Sequence, residues 1–250
     1  MTGGPGLRLQ TPGPVQTLLI PTRTVAAATP RTRIIVADLG DRAFPFHAGQ
    51  AVFAGLAEST VRRPYSIACS PEQAGQNKAI ELLVQIDDDA APDPHLERAE
   101  PGTVLRIEGP FGSFALPTPL PERRVLLVAG GTGIAPLRSM MWHLLETAPD
   151  VGITLLYSAR RPEEFAYLAE LGSLKTEGRI DLFLTITRES DNTWSGTRGR
   201  IDRARLMSVL QTPETRCVVC GPESFVADVA SLVRRAGVPS ARILTETYRV

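Results

Sequence analysis

A short segment near residue 65 combines residue types that suit a planar heterocycle bearing phosphate. Arg63, Pro64, Tyr65 and Ser66 supply a guanidinium, an aromatic ring and a hydroxyl within four residues. Arginine pairs bidentately with phosphate, an aromatic ring can stack on a heterocycle, and a hydroxyl can hydrogen-bond a ring nitrogen. A plain strand with a surface arginine and a half-buried tyrosine explains the same residues, so the segment indicates a site only together with others.

Two glycine-rich segments can bring the backbone close to a ligand. Gly109-Pro110-Phe111-Gly112 follows a predicted strand, where glycine permits close approach, although a turn between strands is the simpler interpretation. Gly130-Gly131-Thr132-Gly133-Ile134-Ala135-Pro136 follows an apolar run and precedes a helical pattern. The amides at such a helix N-terminus favour an anion such as pyrophosphate. Because this segment lacks the lysine of a P-loop, it predicts phosphate binding and disfavours nucleoside triphosphate chemistry.

Further chemical groups lie near the C-terminus. Cys220-Gly221-Pro222 ends an apolar strand, and Glu246 and Tyr248 are two residues apart, which places them on the same side of an extended segment. Cys217 and Cys220 have the spacing of a redox or zinc pair. They lie within a predicted strand, however, and no second pair completes a zinc site, so we expect buried thiols and no metal.

Composition narrows the class of function. The chain has 250 residues, with 27 Lys+Arg and 27 Asp+Glu, so zero net charge gives no chain-wide reason to expect nucleic acid or an anionic membrane as a partner. Its three cysteines cannot form a disulfide framework or supply the four thiolates of an iron–sulfur cluster. No apolar stretch is long enough for a transmembrane helix, and the N-terminus lacks an export pattern, so we expect a cytoplasmic protein.

The predicted elements divide the chain into two halves. After a flexible tail at 1–14, short apolar runs between Gly and Pro residues predict a β-sandwich or barrel at 15–118. Beyond a Pro-rich linker at 117–123, strands alternate with helices, which predicts a parallel sheet covered on both faces, with ligands at the carboxyl ends of its strands. The predicted strands of this half are 125–129, 153–157, 180–187, 217–220 and 242–245, its predicted helices are 137–145, 162–172, 202–210 and 223–236, and a short helix is predicted at 93–99 in the first half.

In their order and spacing, these segments resemble the ferredoxin–NAD(P)H reductase superfamily, whose members join a flavin-binding antiparallel barrel to a nicotinamide-binding α/β domain. The resemblance covers about residues 15–250 and includes Ala48-Gly49-Gln50. It implies a six-stranded barrel at 15–118 and an NAD(P)-binding domain at 119–250. It also implies the function of an NAD(P)H-dependent flavoprotein reductase, in which a hydride passes from NADPH or NADH to bound FAD.

The resemblance implies roles for residues in the barrel. Arg63 would bind the flavin phosphate, Tyr65 would pack on the isoalloxazine, and Ser66 would hydrogen-bond the ring nitrogen that receives hydride. The acidic stretch at 87–95, where many members place a glycine-rich pyrophosphate loop, has no glycine and four aspartates. Such charges would repel a pyrophosphate, so FMN stays an alternative to FAD.

Roles in the second half follow in the same way. The turn 131–133 would cradle the pyrophosphate of the nicotinamide dinucleotide, and Cys220 would lie beside the nicotinamide. Glu246 matches an acid near the active centre, and Tyr248 matches an aromatic residue that covers the other face of the flavin, although Arg249 and Val250 follow it here. The implied catalytic residues are Ser66, Cys220 and Glu246, and the implied cofactor-binding residues are Arg63, Pro64, Tyr65, Ser66, Gly109, Pro110, Gly112, Gly131, Thr132, Gly133, Pro136, Arg160, Arg161, Cys220, Gly221, Pro222 and Tyr248.

The nucleotide and the electron acceptor stay open. Arg160 and Arg161 suit the 2′-phosphate of NADPH, whereas Glu163 and Glu164 could accept a ribose hydroxyl of NADH. Because this chain cannot hold a cluster of its own, we expect a redox carrier protein (a ferredoxin, a flavodoxin or a Rieske-type protein) as its partner. Free flavin, oxygen and a quinone are alternatives, and a non-catalytic flavin-binding subunit of a larger electron-transfer or regulatory complex is an alternative of a different class.

Overall fold

The computed structural model describes residues 14–86, 96–188 and 194–248. They form an antiparallel, nearly closed barrel followed by a parallel sheet with helices on both faces, so the predicted fold class is confirmed. Residues 1–13, the acidic stretch at 87–95, residues 189–193 and the two C-terminal residues lie outside the described residues. The predicted domain limits at residues 118 and 119 stay a prediction.

In the described part of the chain, the barrel has six strands and one α-helix. Along the strands, apolar residues that face inward alternate with polar residues that face outward. Its strands follow the order β4-β3-β6-β1-β2-β5, and a bridge between Ile67 and Leu82 joins its two edges. Inward-facing side chains such as Ile20, Ile35 and Val52 are fully buried, as the period of a half-buried strand requires. The elements are β1 (Gln16–Thr29), β2 (Thr32–Asp38), β3 (Ala51–Leu56), β4 (Arg63–Ser66), α1 (Pro71–Asn77), β5 (Ala79–Gln85) and β6 (Val104–Phe111).

Helix α1 was not predicted, although the sequence carries its signal. Ser70 accepts a hydrogen bond from the backbone amide of Gln73, and the side chain of Gln73 accepts one from the amide of Ser70. Pro71 occupies the first turn. This reciprocal pattern is a capping box, which can be found from the residue types and their spacing alone.

The parallel sheet has the order β10-β9-β8-β7-β11-β12. From β7 the chain proceeds to β8 on one side, and it later returns to β11 on the other side. The topological switch point therefore lies between the carboxyl ends of β7 and β11, where ligands bind in such sheets. The elements are β7 (Arg124–Gly130), α2 (Ile134–Thr147), β8 (Gly152–Ala159), α3 (Leu168–Thr176), β9 (Asp181–Ile186), β10 (Thr197–Arg198), α4 (Arg203–Val209), β11 (Arg216–Pro222), α5 (Glu223–Arg235) and β12 (Ile243–Tyr248).

Strand β7 shows why an uninterrupted apolar run is a strand here. Val125 and Leu127 pack in the cluster formed with α2 and α3, whereas Leu126 and Val128 pack in the cluster formed with α4 and α5. Both faces of the strand are therefore buried, so apolar residues occupy every position rather than every second one. In the described part of the chain, no helix has the length and apolar character needed to cross a membrane.

The prediction of one continuous helix at 162–172 was wrong in the limits of that helix. A 3₁₀ turn at Pro162–Glu164 precedes three non-helical residues, and α3 begins only at Leu168. Phe165 is buried against Trp194, with ring centroids 5.6 Å apart, and Tyr167 has a left-handed φ of 61°. This tertiary contact interrupts the helix. The short helix predicted at 93–99 is described only as a 3₁₀ turn at Leu96–Arg98.

Candidate active site

The barrel brings its two predicted cofactor segments to either side of one strand. Ala51, the first residue of β3, pairs with Ser66 of β4 on one side and with Phe111 of β6 on the other. Gln50 is 2% exposed, and its side-chain amide donates to the carbonyl of Gly112 at 3.0 Å. The segments at 63–66 and 109–112 therefore form one continuous surface, and Gln50 is a positioning residue for which no role was predicted.

The two glycines of this surface serve different purposes. A side-chain carbon at Gly109 would lie 2.9 Å from Val52, so glycine allows the strands to pack closely there. Gly112 has a φ of 97°, and a side-chain carbon there would meet no atom of the described chain within 4 Å. Gly112 therefore leaves open space in which a ligand can approach the backbone, close to β4, where Arg63 and Tyr65 are half-buried.

The second group of predicted residues lies at the switch point of the parallel sheet. The turn at Gly131–Gly133 connects β7 to α2, and Gly131 has a φ of 56°. A side-chain carbon at Gly133 would lie 2.3 Å from the carbonyl oxygen of Cys220, so only glycine lets the start of α2 approach the end of β11. Burial raises the pKa of the Cys220 thiol well above its usual range, so the thiol stays neutral and offers a packing surface rather than a nucleophile.

The hydroxyl of Tyr248 lies within this turn. It donates to the carbonyl of Gly130 at 2.5 Å and accepts from the amide of Gly133 at 3.3 Å. Burial raises the pKa of Tyr248 to about 12, so the phenol is protonated at neutral pH. The phenol therefore occupies the amide of Gly133, which was predicted to bind the pyrophosphate. An anion that binds to this amide must displace the phenol.

Strand β12 places a carboxyl group next to the buried thiol. Glu246 is the register partner of Cys220, and Tyr248 is the partner of Pro222. Burial raises the pKa of Glu246 to about 7. Its carboxyl group can therefore gain or lose a proton near neutral pH, which is a property of groups that handle protons at active sites.

A cleft of about 510 Å³ opens at the carboxyl ends of the parallel strands. Its lining includes four arginines and two carboxylates, and this excess of positive charge favours an anionic ligand. The amide of Arg188 donates to the carbonyl of Arg160 at 2.8 Å, so these two residues lie side by side at the ends of β9 and β8. The polar and switch-point residues of the lining are Thr29, Arg31, Thr32 and Gln85 of the barrel, and Gly130, Gly131, Thr132, Tyr157, Ser158, Arg160, Glu164, Thr187, Arg188, Arg200, Pro222, Ser224, Asp228 and Tyr248 of the second half.

The cleft does not gather every predicted residue. Arg161 lies outside its lining, is exposed and faces Glu163 at 3.9 Å. The residues 63–66 of β4 and the neighbours Cys220 and Glu246 also lie outside the lining. Gly221 and Pro136 are packing positions, since a side-chain carbon at Gly221 would lie 2.7 Å from Phe225 and Pro136 is buried in α2. These assignments stay predictions.

Sequence reasoning missed three arginines of the cleft, Arg31, Arg188 and Arg200. Arg31 lies in the turn between β1 and β2 of the barrel, where no sequence pattern points to the parallel sheet. Arg188 could have been found, because it follows a predicted strand just as Arg160 does and the carboxyl ends of parallel strands meet at one edge. Arg200 carries no comparable signal, since it follows a two-residue strand that the sequence did not predict.

Comparisons with known proteins agree with this geometry. The chain matches the family described as an oxidoreductase FAD-binding domain over residues 20–116, and the one described as an oxidoreductase NAD-binding domain over residues 127–231. It is 33% identical over 219 residues to ferredoxin–NADP reductase B of Sorangium cellulosum, covering 83% of this chain and 87% of that protein. A flavohemoprotein of Xylella fastidiosa is 27% identical over 215 residues, which are 84% of this chain and 52% of that protein.

Solved structures share the fold. The cytochrome P450 reductase GcoB of Amycolatopsis superposes with a TM-score of 0.82 at 23% identity, over 95% of this chain and 71% of that chain. A ferredoxin–NADP⁺ reductase from Neisseria gonorrhoeae with bound FAD and NADP gives a TM-score of 0.76 at 21% identity, over 92% of this chain and 98% of that chain. At these identities the likeness extends to the two-domain fold.

Proposed function

The chain belongs to the ferredoxin–NADP reductase family, and from that premise we propose that it passes electrons from NADPH to a separate one-electron carrier protein. Membership confirms the two predicted cofactors, a nicotinamide dinucleotide and FAD rather than FMN, and the predicted activity of an NAD(P)H-dependent flavoprotein oxidoreductase. NADPH as the preferred donor and a carrier of the ferredoxin or flavodoxin kind as the acceptor are the proposal.

The residues divide the work between the two halves. When bound, FAD accepts a hydride and releases its electrons singly, which is chemistry that the side chains themselves do not supply. We assign Arg63 to the flavin phosphate, Tyr65 to one face of the ring and Ser66 to the ring nitrogen. Thr132 and the amides of its turn hold the pyrophosphate of the nucleotide. Glu246 can hold a proton at its carboxyl group beside this site.

The observation that carries the choice of NADPH is the pair of adjacent arginines at the carboxyl edge. Arg160 and Arg188 project from neighbouring strand ends into the lining of one cleft, which suits the phosphate that distinguishes NADPH from NADH. Glu164 also lines the cleft. Its carboxylate can accept a hydrogen bond from a ribose hydroxyl. The four arginines of the lining nonetheless outnumber its two carboxylates, which favours the phosphate of NADPH.

The carrier is proposed from the relatives and from the thiols of this chain. Ferredoxin–NADP reductase B is similar along 87% of its own length. The three cysteines are all buried and free, and burial raises the pKa of each thiol. Buried neutral thiols do not exchange electrons readily, which supports a separate acceptor. Free thiols also support the proposal that the protein works in the cytoplasm.

Steady-state kinetics with ferredoxin or flavodoxin as the acceptor test this proposal. We expect NADPH to be the better donor, and Arg160→Ala and Arg188→Ala to raise the KM for NADPH by roughly tenfold or more, since a charge-assisted hydrogen bond is worth about 1.5–3 kcal/mol. The KM for NADH should change little. Arg235→Ala, an exposed arginine on α5, is the control.

Three outcomes would contradict the proposal in different ways. An unchanged NADPH/NADH preference in both variants would remove the phosphate role from these arginines, and Arg161→Ala in the same series would then show whether its neighbour holds that role. Donor oxidation without reduction of either carrier would favour free flavin, oxygen or a quinone as acceptor. If neither nucleotide reduces the bound FAD, the result would favour the alternative function of a non-catalytic flavin-binding subunit.

A further inference from the structure

The first helix of the α/β domain holds the backbone that directly follows the flavin-side strand. Arg138 lies just over one helical turn after the glycine turn, and its Nη1 donates to the carbonyl of Ala68 at 2.8 Å. The hydroxyl of Ser139 donates to the carbonyl of Cys69 at 2.6 Å. Because Ala68 and Cys69 come two and three residues after Ser66, and Arg138 comes five residues after Gly133, α2 connects the nucleotide turn to the end of β4 over a short stretch of chain.

The guanidinium of Arg138 is fixed from several directions. Its Nε and Nη2 donate to the two carboxylate oxygens of Glu170 at 2.8 and 2.7 Å, and its Nη1 lies 3.2 Å from Glu81 on β5. The guanidinium also stacks over the ring of Tyr167 at 4.4 Å, and the hydroxyl of Tyr167 donates to Glu81 at 2.8 Å. A planar fork held in this way has one orientation, so its bond to the barrel has one geometry.

Stability alone is a poor explanation for such a cluster. The cost of removing charges from water often cancels the attraction within a buried ion pair. Directional hydrogen bonds across an interface do, however, fix how far apart its two sides lie. In catalysis that distance matters, because a misplacement of about 1 Å can cost about a hundredfold in rate.

We propose that Arg138 and Ser139 are positioning residues that set the separation between the flavin-side strand β4 and the nicotinamide turn. This rests on the proposed function, because it requires that both sites bind their cofactors. Both residues act through the backbone of Ala68 and Cys69 rather than on a cofactor. Loss of either should therefore slow hydride transfer while the affinity for each cofactor is retained.

The chain offers a matched control for Arg138. Arg216 is 7% exposed, compared with 6% for Arg138, and it too makes a two-point ion pair, to Glu122 at 2.9 and 3.2 Å. Its partners lie within the α/β half, at the edge of the sheet opposite the cleft. Arg216→Lys therefore removes a buried fork of the same kind without touching the link to β4.

The test measures flavin reduction by saturating NADPH on anaerobic mixing, together with the dissociation constants of FAD and NADP⁺. Arg138→Met should reduce the rate about a hundredfold, and Arg138→Lys and Ser139→Ala about tenfold, with each dissociation constant changing less than about threefold. In these variants, the primary kinetic isotope effect on flavin reduction by deuterated NADPH should approach its intrinsic value, because hydride transfer then limits the rate. Arg216→Lys should lower the melting temperature and leave the reduction rate unchanged.

Hydrogen exchange on the FAD-loaded protein without nucleotide provides a readout independent of activity. The backbone amides at 67–70 should exchange faster in Arg138→Met and Ser139→Ala than in the wild type or in Arg216→Lys. If Arg138→Met does not fold, Ser139→Ala decides, because it removes a single hydroxyl.

The outcomes separate this inference from the proposed function. A wild-type protein that NADPH does not reduce contradicts the proposed function and removes the basis of the inference with it. If the wild type is reduced, normal rates in the Arg138 and Ser139 variants overturn the positioning role. An equal loss of rate in Arg216→Lys would also overturn it, because the effect would then be one of general stability.

Discussion

The two edges of the parallel sheet differ in how they hold polar groups that are partly or fully shielded from water. At the amino edge, Glu122 is buried between two arginines: Arg216 donates to both of its oxygens, and Arg242 lies 3.5 Å away. At the carboxyl edge, burial raises the pKa of Glu246 to about 7, and the phenol of Tyr248 is held by backbone groups of the glycine turn. At the amino edge, arginines neutralise the buried carboxylate. At the carboxyl edge, the protonation of Glu246 and the hydrogen bonds of Tyr248 can change when a ligand binds.

This difference separates stability from binding within one sheet. A buried ion pair is costly to break, because the remaining charge has no partner. Carboxyl groups that burial destabilises, by contrast, persist mainly where function requires them. Substitutions at the amino edge should therefore lower the free energy of unfolding. Substitutions at the carboxyl edge should change nucleotide binding and catalysis, and those that remove a destabilised carboxylate should leave stability equal or higher.

The largest effect is expected at the amino edge. Glu122→Gln would leave the buried Arg216 without its counter-charge and would remove the carboxylate partner of the partly exposed Arg242, so the free energy of unfolding should fall by about 3–5 kcal/mol. Urea denaturation measures this loss, while kcat/KM of the folded enzyme should stay unchanged. Glu177→Gln at an exposed site of the same half controls for the loss of one negative charge. Normal stability together with reduced activity in Glu122→Gln would contradict the stabilising role assigned to the amino edge.

The next effect is expected at the switch point. Gly133→Ala would place a side-chain carbon 2.3 Å from the carbonyl oxygen of Cys220 and so displace the turn. Because catalysis is sensitive to such shifts, kcat/KM for NADPH should fall about a hundredfold with FAD still bound. Gly172→Ala on α3, where a side-chain carbon meets no atom of the described chain within 4 Å, should leave it unchanged. Equal kinetics in both variants would show that the turn tolerates movement.

A pH-dependent effect should follow from Glu246. Its pKa is about 7 in the folded protein and 4.5 ordinarily, so the folded state binds the proton more tightly than the unfolded state. Stability is therefore lost as the pH rises from the ordinary value through about 7. Glu246→Gln removes this loss and should be more stable than the wild type above that range, by on the order of 2 kcal/mol. Parallel stability curves for the two proteins across this range would contradict the assignment.

The smallest effect is expected from one hydroxyl. Tyr248→Phe keeps the ring but frees the amide of Gly133, for which a bound anion competes. NADP⁺ should then bind about three- to tenfold more tightly, since one hydrogen bond is worth about 1 kcal/mol. Isothermal titration measures the dissociation constant. Weaker binding by the variant would mean that the phenol supports the nucleotide rather than competing with it.

The fold was predictable wherever a local pattern reflects burial. The apolar run at 125–129 and the glycine turn after it predict a buried strand leading into a helix, and the structure contains both. The region 162–172 was not predictable in the same way, because Phe165 leaves the helix to pack on Trp194, which lies far along the chain. The periodicity of a single segment cannot predict a contact with a residue so distant in the sequence.

The same limit applies to the site. The turn 131–133 could be identified from residue type and spacing, whereas Tyr248 was singled out through the family resemblance. The roles of Gln50 and Arg138 could not be identified, since each depends on a partner that only folding brings close, the carbonyl of Gly112 for Gln50 and the carbonyl of Ala68 for Arg138. In the sequence, Arg138 is one polar residue in a helical pattern.

The most direct measurement of the central claim is the visible absorbance of the FAD-loaded protein after anaerobic mixing with NADPH or NADH. Reduction of the flavin by a nucleotide bound at the carboxyl edge predicts rapid and complete bleaching by NADPH, and slower bleaching by NADH at the same concentration. A yellow protein that neither nucleotide bleaches would contradict it.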